Sequence, residues 1–265
     1  MKAAILFSAA LVLAWAQGTQ GDRVTVPFSD PSRPGTVKAS VINSSLIVNG
    51  YDGKDVAVEA RTRPSSSSRP ERADGLRRLD VGGSGLRVEE SDNTITVGVG
   101  LRSHPDLLIQ APFSTSVKLS TVNGSIEVNR LTGDLEISTT NGAVTASHIS
   151  GSAVFHSLNG KILAAVEKIS ADKPMSFSSL NGDIDVTFPA DVKARVKLKT
   201  HNGEVYSDFD VHLESTAQTV VENKQSTRGR YRVRSESTTY GNINGGGPEI
   251  QFTTFNGTIY IRKAK

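Results

Sequence analysis

The sequence predicts an all-β fold, a single-stranded β-solenoid (β-helix) of about 18–22-residue coils that turn at Asn-Gly corners. Three observations lead there: Asn-Gly pairs that recur in register, apolar residues that alternate with period 2 on both sides of each pair, and a column of hydroxyl residues at one fixed offset.

The chain of 265 residues opens with MKAAILFSAALVLAWAQG, a lysine followed by an apolar run to Ala16 and a small-residue end at Ala14-Trp15-Ala16. This pattern predicts a secretory signal peptide over residues 1–16, cleaved after Ala16, because the run is too short to span a bilayer. No later segment is long and apolar enough for a span, so the mature chain is expected to lack one. Cysteine is absent, which excludes a disulfide framework and leaves stability to packing. Residues 17–35 read as an N-terminal extension and 36–265 as the solenoid domain.

Six copies of the repeat align without gaps, at Asn123-Gly124, Asn141-Gly142, Asn159-Gly160, Asn181-Gly182, Asn202-Gly203 and Asn256-Gly257. Six residues before each Asn stand Val117, Leu135, Ala153, Met175, Val196 and Ile250; four before stand Leu119, Ile137, Phe155, Phe177, Leu198 and Phe252. Both columns predict an inward face. Two before stand Thr121, Thr139, Ser157, Ser179, Thr200 and Thr254, and three after stand the β-branched Ile126, Val144, Ile162, Ile184, Val205 and Ile259. An imperfect seventh copy centres on Asn43.

Asn-Gly between alternating strands is also the signature of a two-residue hairpin, so an antiparallel β-meander is the alternative. The hydroxyl column favours the solenoid. Hairpins pair unlike columns of the alignment, whereas stacked coils set like on like and give Thr/Ser and Asn ladders a reason to recur. LTGD at 131–134 and HISGS at 148–152 mark a second corner, and KISADKP and FPADVKAR carry extra turn residues expected to emerge as loops.

Two basic stretches interrupt the repeat. RTRPSSSSRPERADGLRR at 61–78 reads as a solvated Arg/Ser/Pro-rich loop. In TRGRYRVRSE, Arg228, Arg230, Arg232 and Arg234 alternate, so on a strand they would share one face as a possible polyanion-binding stripe or as a charged, soluble edge.

The tail GNINGGGPEIQFTTFNGTIYIRKAK, the TVNGSIEV and SLNGDIDV coils and the GYDGKDVAVEA segment resemble the bacterial putative-adhesin family of unknown function, related to autotransporter-adhesin head domains. The resemblance covers roughly 36–265. It implies an extracytoplasmic β-helical domain without catalytic residues.

Motifs of common chemistries are missing: no HExxH, no GxSxG, no phosphate-binding loop, no EF-hand and no calcium nonapeptide. No catalytic, cofactor-binding or metal residues are predicted, and no cofactor. His104, His148, His156, His201 and His212 are dispersed, although His148, His156 and His201 lie where coils could bring them together. Asp134, Asp183 and Asp185 flank corners, the positions a β-helical polysaccharide lyase or hydrolase would use and also ordinary turn positions. Asn43, Asn123 and Asn256 fit the glycosylation sequon but have a structural reason as corners. With 30 basic against 27 acidic residues, the charge balance argues against nucleic acid.

The sequence therefore predicts an exported, non-enzymatic binding or scaffold module of the periplasm or cell surface, with envelope polysaccharide or a surface protein as partner. The alternatives are a β-helix carbohydrate-active enzyme and an envelope-stress accessory protein. The oligomeric state is left open.

Overall fold

The computed structural model describes residues 22–61, 72–73, 76–77, 85–100, 104–170, 173, 175–220 and 234–265. In chain order the strands are β1 (Asp22–Pro27), β2 (Thr36–Val41), β3 (Leu46–Tyr51), β4 (Asp55–Arg61), the short pair β5 (Arg72–Ala73) and β6 (Leu76–Arg77), β7 (Arg87–Ser91), β8 (Thr94–Gly98) and β9 (Asp106–Pro112). The central repeats follow: β10 (Ser116–Asn123), β11 (Ile126–Asn129), β12 (Leu135–Asn141), β13 (Val144–Gly151), β14 (Ala153–Asn159), β15 (Ile162–Ile169), β16 (Met175–Asn181) and β17 (Ile184–Phe188). The C-terminal part holds β18 (Ala194–Asn202), β19 (Val205–Ser207), β20 (Val211–Val220), β21 (Arg234–Ile243), β22 (Glu249–Asn256) and β23 (Ile259–Lys263).

Each repeat is one coil of a β-solenoid. The strand before the corner joins an eleven-stranded sheet and the strand after it joins a ten-stranded sheet. Like residues stack in register: Val117 pairs with Leu135, Leu119 with Ile137 and Asn123 with Asn141, and the same columns continue through β14, β16, β22 and β18. Parallel pairing of equivalent strands rules out the hairpin meander, in which each Asn-Gly would join antiparallel neighbours.

Alternation decides what is buried. Phe155, Phe177 and Phe252 occupy one inward column; successive ring centroids lie 5.4 Å apart, the first pair edge-on and the second stacked. Phe188 from the opposite sheet meets Phe252 edge-on at 6.4 Å. Of the β-branched column after the corner, Ile126, Val144, Ile162, Ile184 and Ile259 are buried, whereas Val205 is 38% exposed. Val205 lies on β19, the last strand of its sheet, so no further coil covers it.

The stacking order departs from chain order at both ends. The N-terminal coil β2–β3 lies between coil β8–β9 and coil β10–β11. The C-terminal coil β22–β23 lies between β16–β17 and β18–β19. Coil β8–β9 has no Asn-Gly pair, which hid it from the repeat alignment, yet Ile95 pairs with Val37 and Leu107 with Leu46 in the same inward columns. Antiparallel strands finish the stack, β7, β4 and β1 at one end and β21 and β20 at the other. Strand β1 falls within 17–35 and pairs with β4 along its whole length. Most of 61–78 lies outside the described residues, apart from Arg61 and the β5–β6 pair.

Candidate binding face

The corner carries a continuous ladder of side-chain amides. Each corner asparagine donates its side-chain N–H to the side-chain oxygen of the next: Asn123 to Asn43, Asn141 to Asn123, Asn159 to Asn141, Asn181 to Asn159, Asn256 to Asn181 and Asn202 to Asn256. All six bonds lie between 2.7 and 2.9 Å. The three sequon asparagines are all members of this ladder.

The hydroxyl column makes no ladder of its own. Each hydroxyl donates to the backbone carbonyl of the neighbouring coil's corner, as from Thr139 to Gly124 at 3.2 Å, Ser179 to Gly160 at 3.1 Å and Thr254 to Gly182 at 3.2 Å. These side chains are buried, so an unpaired hydroxyl there would be costly. The sequence signal was right about recurrence, and the partner is backbone.

The corner glycines answer to close approach. None has a positive φ, the requirement of a two-residue hairpin. A Cβ on Gly160 would sit 1.9 Å from the carbonyl oxygen of Gly142, and one on Gly142 2.0 Å from that of Gly124. The coils touch backbone to backbone at this edge.

Immediately before each asparagine, alternation turns the side chain outward, and five of the seven residues in this column are large and apolar. In spatial order it reads Ile42, Val122, Thr140, Leu158, Leu180, Phe255 and His201. Ile42 is 52% exposed, and Val122, Leu158, Leu180 and Phe255 are 37–41% exposed. The His201 ring stacks on Phe255, with centroids 4.7 Å apart. Seven coils at ordinary strand spacing make a ridge about 29 Å long. Five of the eleven exposed large apolar residues among the described residues therefore fall in one row. A row of outward side chains two residues further back, Ser40, Ser120, Ser138, His156, Ser178, Thr253 and Lys199, runs beside the ridge, and the Asn ladder flanks it on the other side. Sequence reading passed over the ridge because period 2 assigns that column to solvent, although its letters were legible in the alignment.

Other candidates are not gathered into a site. Arg228, Arg230 and Arg232 lie outside the described residues, and Arg234 begins β21. His148 lies on β13 in the ten-stranded sheet, while His156 and His201 lie three strands apart in the other sheet, about 14 Å at usual spacing. Among the described residues no three His, Cys, Asp or Glu side chains are grouped to hold a metal. The three aspartates have structural partners: Asp134 accepts from Lys173 at 2.5 Å, Asp183 from the Thr258 N–H at 2.8 Å, and Asp185 from Arg262 at 2.7 and 3.1 Å.

Electrostatics agree with that picture. Hydrogen bonds from the Ser32 side chain and then Arg33 hold the Asp30 carboxyl below its ordinary range, as Arg61 does for Glu59 and the Ser29 hydroxyl for Glu90. The Glu204 carboxylate beside Tyr206 pushes that phenol up. These carboxyls are held ionised at the surface by their hydrogen-bond partners.

Residues 99–244, more than half of the chain, match the Toastrack DUF4097 family. None of the curated proteins matches the chain. The putative cell adhesion protein of Clostridium sporogenes ATCC 15579 is 13% identical, with a TM-score of 0.44 over 92% of this chain and 100% of that one. The putative adhesin of Bacteroides fragilis NCTC 9343 is 12% identical, with a TM-score of 0.40 over 93% of this chain and 98% of that one. Among the described residues no helix is long and apolar enough to cross a membrane.

Proposed function

The chain belongs to the Toastrack DUF4097 family, and from that premise we propose that it is an exported, non-enzymatic binding module of the cell envelope, of adhesin type. Its binding face is the outer side of the eleven-stranded sheet along the Asn corner. One observation carries this reading: five large apolar side chains, Ile42, Val122, Leu158, Leu180 and Phe255, exposed at the same position of their coils in a row that Thr140 interrupts once. Scattered apolar residues on a surface need no explanation, but five aligned in one row mark an interaction site.

The row also suits an extended partner. Its elements recur at the strand spacing, the apolar edges pack against the partner, and the flanking amides and hydroxyls offer hydrogen bonds at each step. An envelope polysaccharide or an extended segment of a surface protein has that shape. Export follows from the signal-peptide pattern of residues 1–16.

The test is retention of the purified protein on isolated envelope polysaccharide and on envelope protein extract. Wild type should be retained on one of them, and the Leu158→Ser/Leu180→Ser variant should lose retention while keeping its unfolding midpoint. Equal retention of the variant would move the binding face elsewhere, and silence of wild type on both materials would remove the adhesin reading.

A further inference from the structure

We propose that the C-terminal end of the solenoid is a self-complementary interface that joins two copies of this chain about a two-fold axis parallel to the strands. The ten-stranded sheet stops at β19. The eleven-stranded sheet continues past β18, which belongs to the same coil as β19, through β21 and β20. Two strands therefore overhang, with no strand opposite their inner face among the described residues.

The side chains record the step. Val205 and Leu213 line an open cavity of about 350 Å³ together with Leu198, Phe209, Val211 and Ile261. Alternation points both inward, yet they are 38% and 63% exposed. Equivalent positions further along the stack, such as Ile184 and Ile259, are fully covered by the next coil.

A step two strands deep is filled by an identical step. Rotation by 180° about an axis along the strands exchanges the two layers. The second copy's β20 then continues the ten-stranded sheet beside β19, and its β19 continues the eleven-stranded sheet beside β20. Strand β20 runs parallel to β18, because each is antiparallel to β21, and opposite to β19 across the corner. Both new junctions are thus antiparallel. With β19 only three residues long, most of the contact is face to face between the overhanging hairpins. Each overhang is two strands, about 10 Å, deep, and residues 211–214 of β20 and 238–243 of β21 face the same residues of the second copy across the two-fold axis.

Head-to-tail stacking does not close in this way. At the N-terminal end the ten-stranded sheet extends two strands beyond β9, namely β4 and β1, and the other sheet one strand beyond β8, namely β7. A step of two set on a step of one leaves a gap a strand wide. The outermost strands there also carry Asp22 and Arg23 on β1 and Arg87, Glu89 and Glu90 on β7, charges that oppose edge pairing. Strand β19, with the sequence VYS, has none, and β20, VHLESTAQTV, carries one carboxylate, Glu214.

The experiment is sedimentation of the purified protein over a concentration series, with thermal unfolding as the control for folding. Wild type should reach a dimer and stop there. Leu213→Lys and, separately, Val205→Lys should both be monomers with an unchanged unfolding midpoint, extrapolated to the lowest concentration. Should Leu213→Lys lose its fold, the milder Leu213→Asn carries the same expectation. A wild type that stays monomeric throughout, a dimer that survives either substitution, or a ladder of larger species would each overturn the proposal.

Discussion

At the scale of the residue, the Asn-Gly pair performs two separate tasks, and magnitudes rank them. The exposed Asn ladder competes with water, so each amide bond contributes about 0.5–1.5 kcal/mol net. Asn159→Ala removes two such bonds, about 1–3 kcal/mol, and should lower the unfolding midpoint by about 2–12 °C at about 2–4 °C per kcal/mol for a chain of this size. Gly160→Ala is different in kind. Its Cβ would sit 1.9 Å from a backbone carbonyl that cannot rotate away, so neighbouring coils must separate. The loss should exceed that of Asn159→Ala, beyond about 3 kcal/mol, as strain in a packed interior does. Urea unfolding of the two variants side by side checks the order; a milder Gly160→Ala would show that the coils have slack at the corner.

At the scale of the element, position in the stack overrides column identity. Ile184 and Val205 belong to the same column after the corner. Ile184→Asp buries an unpaired charge at a cost of several kcal/mol and should unfold at least the neighbouring coils, whereas Val205→Asp on the edge strand, measured at the lowest concentration where the chain is a monomer, should cost about 1 kcal/mol or less. Thermal unfolding of both variants measures the contrast, and equal losses would mean that β19 is covered. The aromatic column supplies a second comparison. Phe177 touches rings on both sides, so Phe177→Ala should cost about 3–5 kcal/mol, near the top of the range for core truncation.

At the scale of the whole molecule, the chain inserts its first and last coils into the interior of the stack. In a solenoid stacked in chain order, loss of the terminal repeat shortens the rod and leaves the rest folded. Here coil β22–β23 bridges β16–β17 to β18–β19. Removal of residues 249–265 should therefore open two apolar edges at once and yield an aggregating or protease-sensitive product. Limited proteolysis decides it; a resistant core ending near β17 would show that the central coils stand alone. Closing the stack also waits for both ends of the chain, so folding should be slow for its size.

The sequence by itself determined the coil. Period 2 settled which columns point inward, the regular spacing of Asn-Gly settled the coil length, and the recurrence of like residues favoured stacked coils over hairpins, a choice that the parallel pairing of equivalent strands then decided. These are local properties, written within one repeat and legible from Val117 to Ile259. The tertiary structure decided the order of the coils, the carbonyl partners of Thr139 and its column, the coil β8–β9 that lacks Asn-Gly, the alignment of Ile42 to Phe255 into one exposed row, and the exposure of Val205. The physical reason is degeneracy. Every coil offers the same ladder of backbone groups and the same apolar columns to its neighbour, so the repeat that makes stacking certain carries almost no information about which coil stacks on which. That choice falls to the connections and to the unlike strands at the two ends.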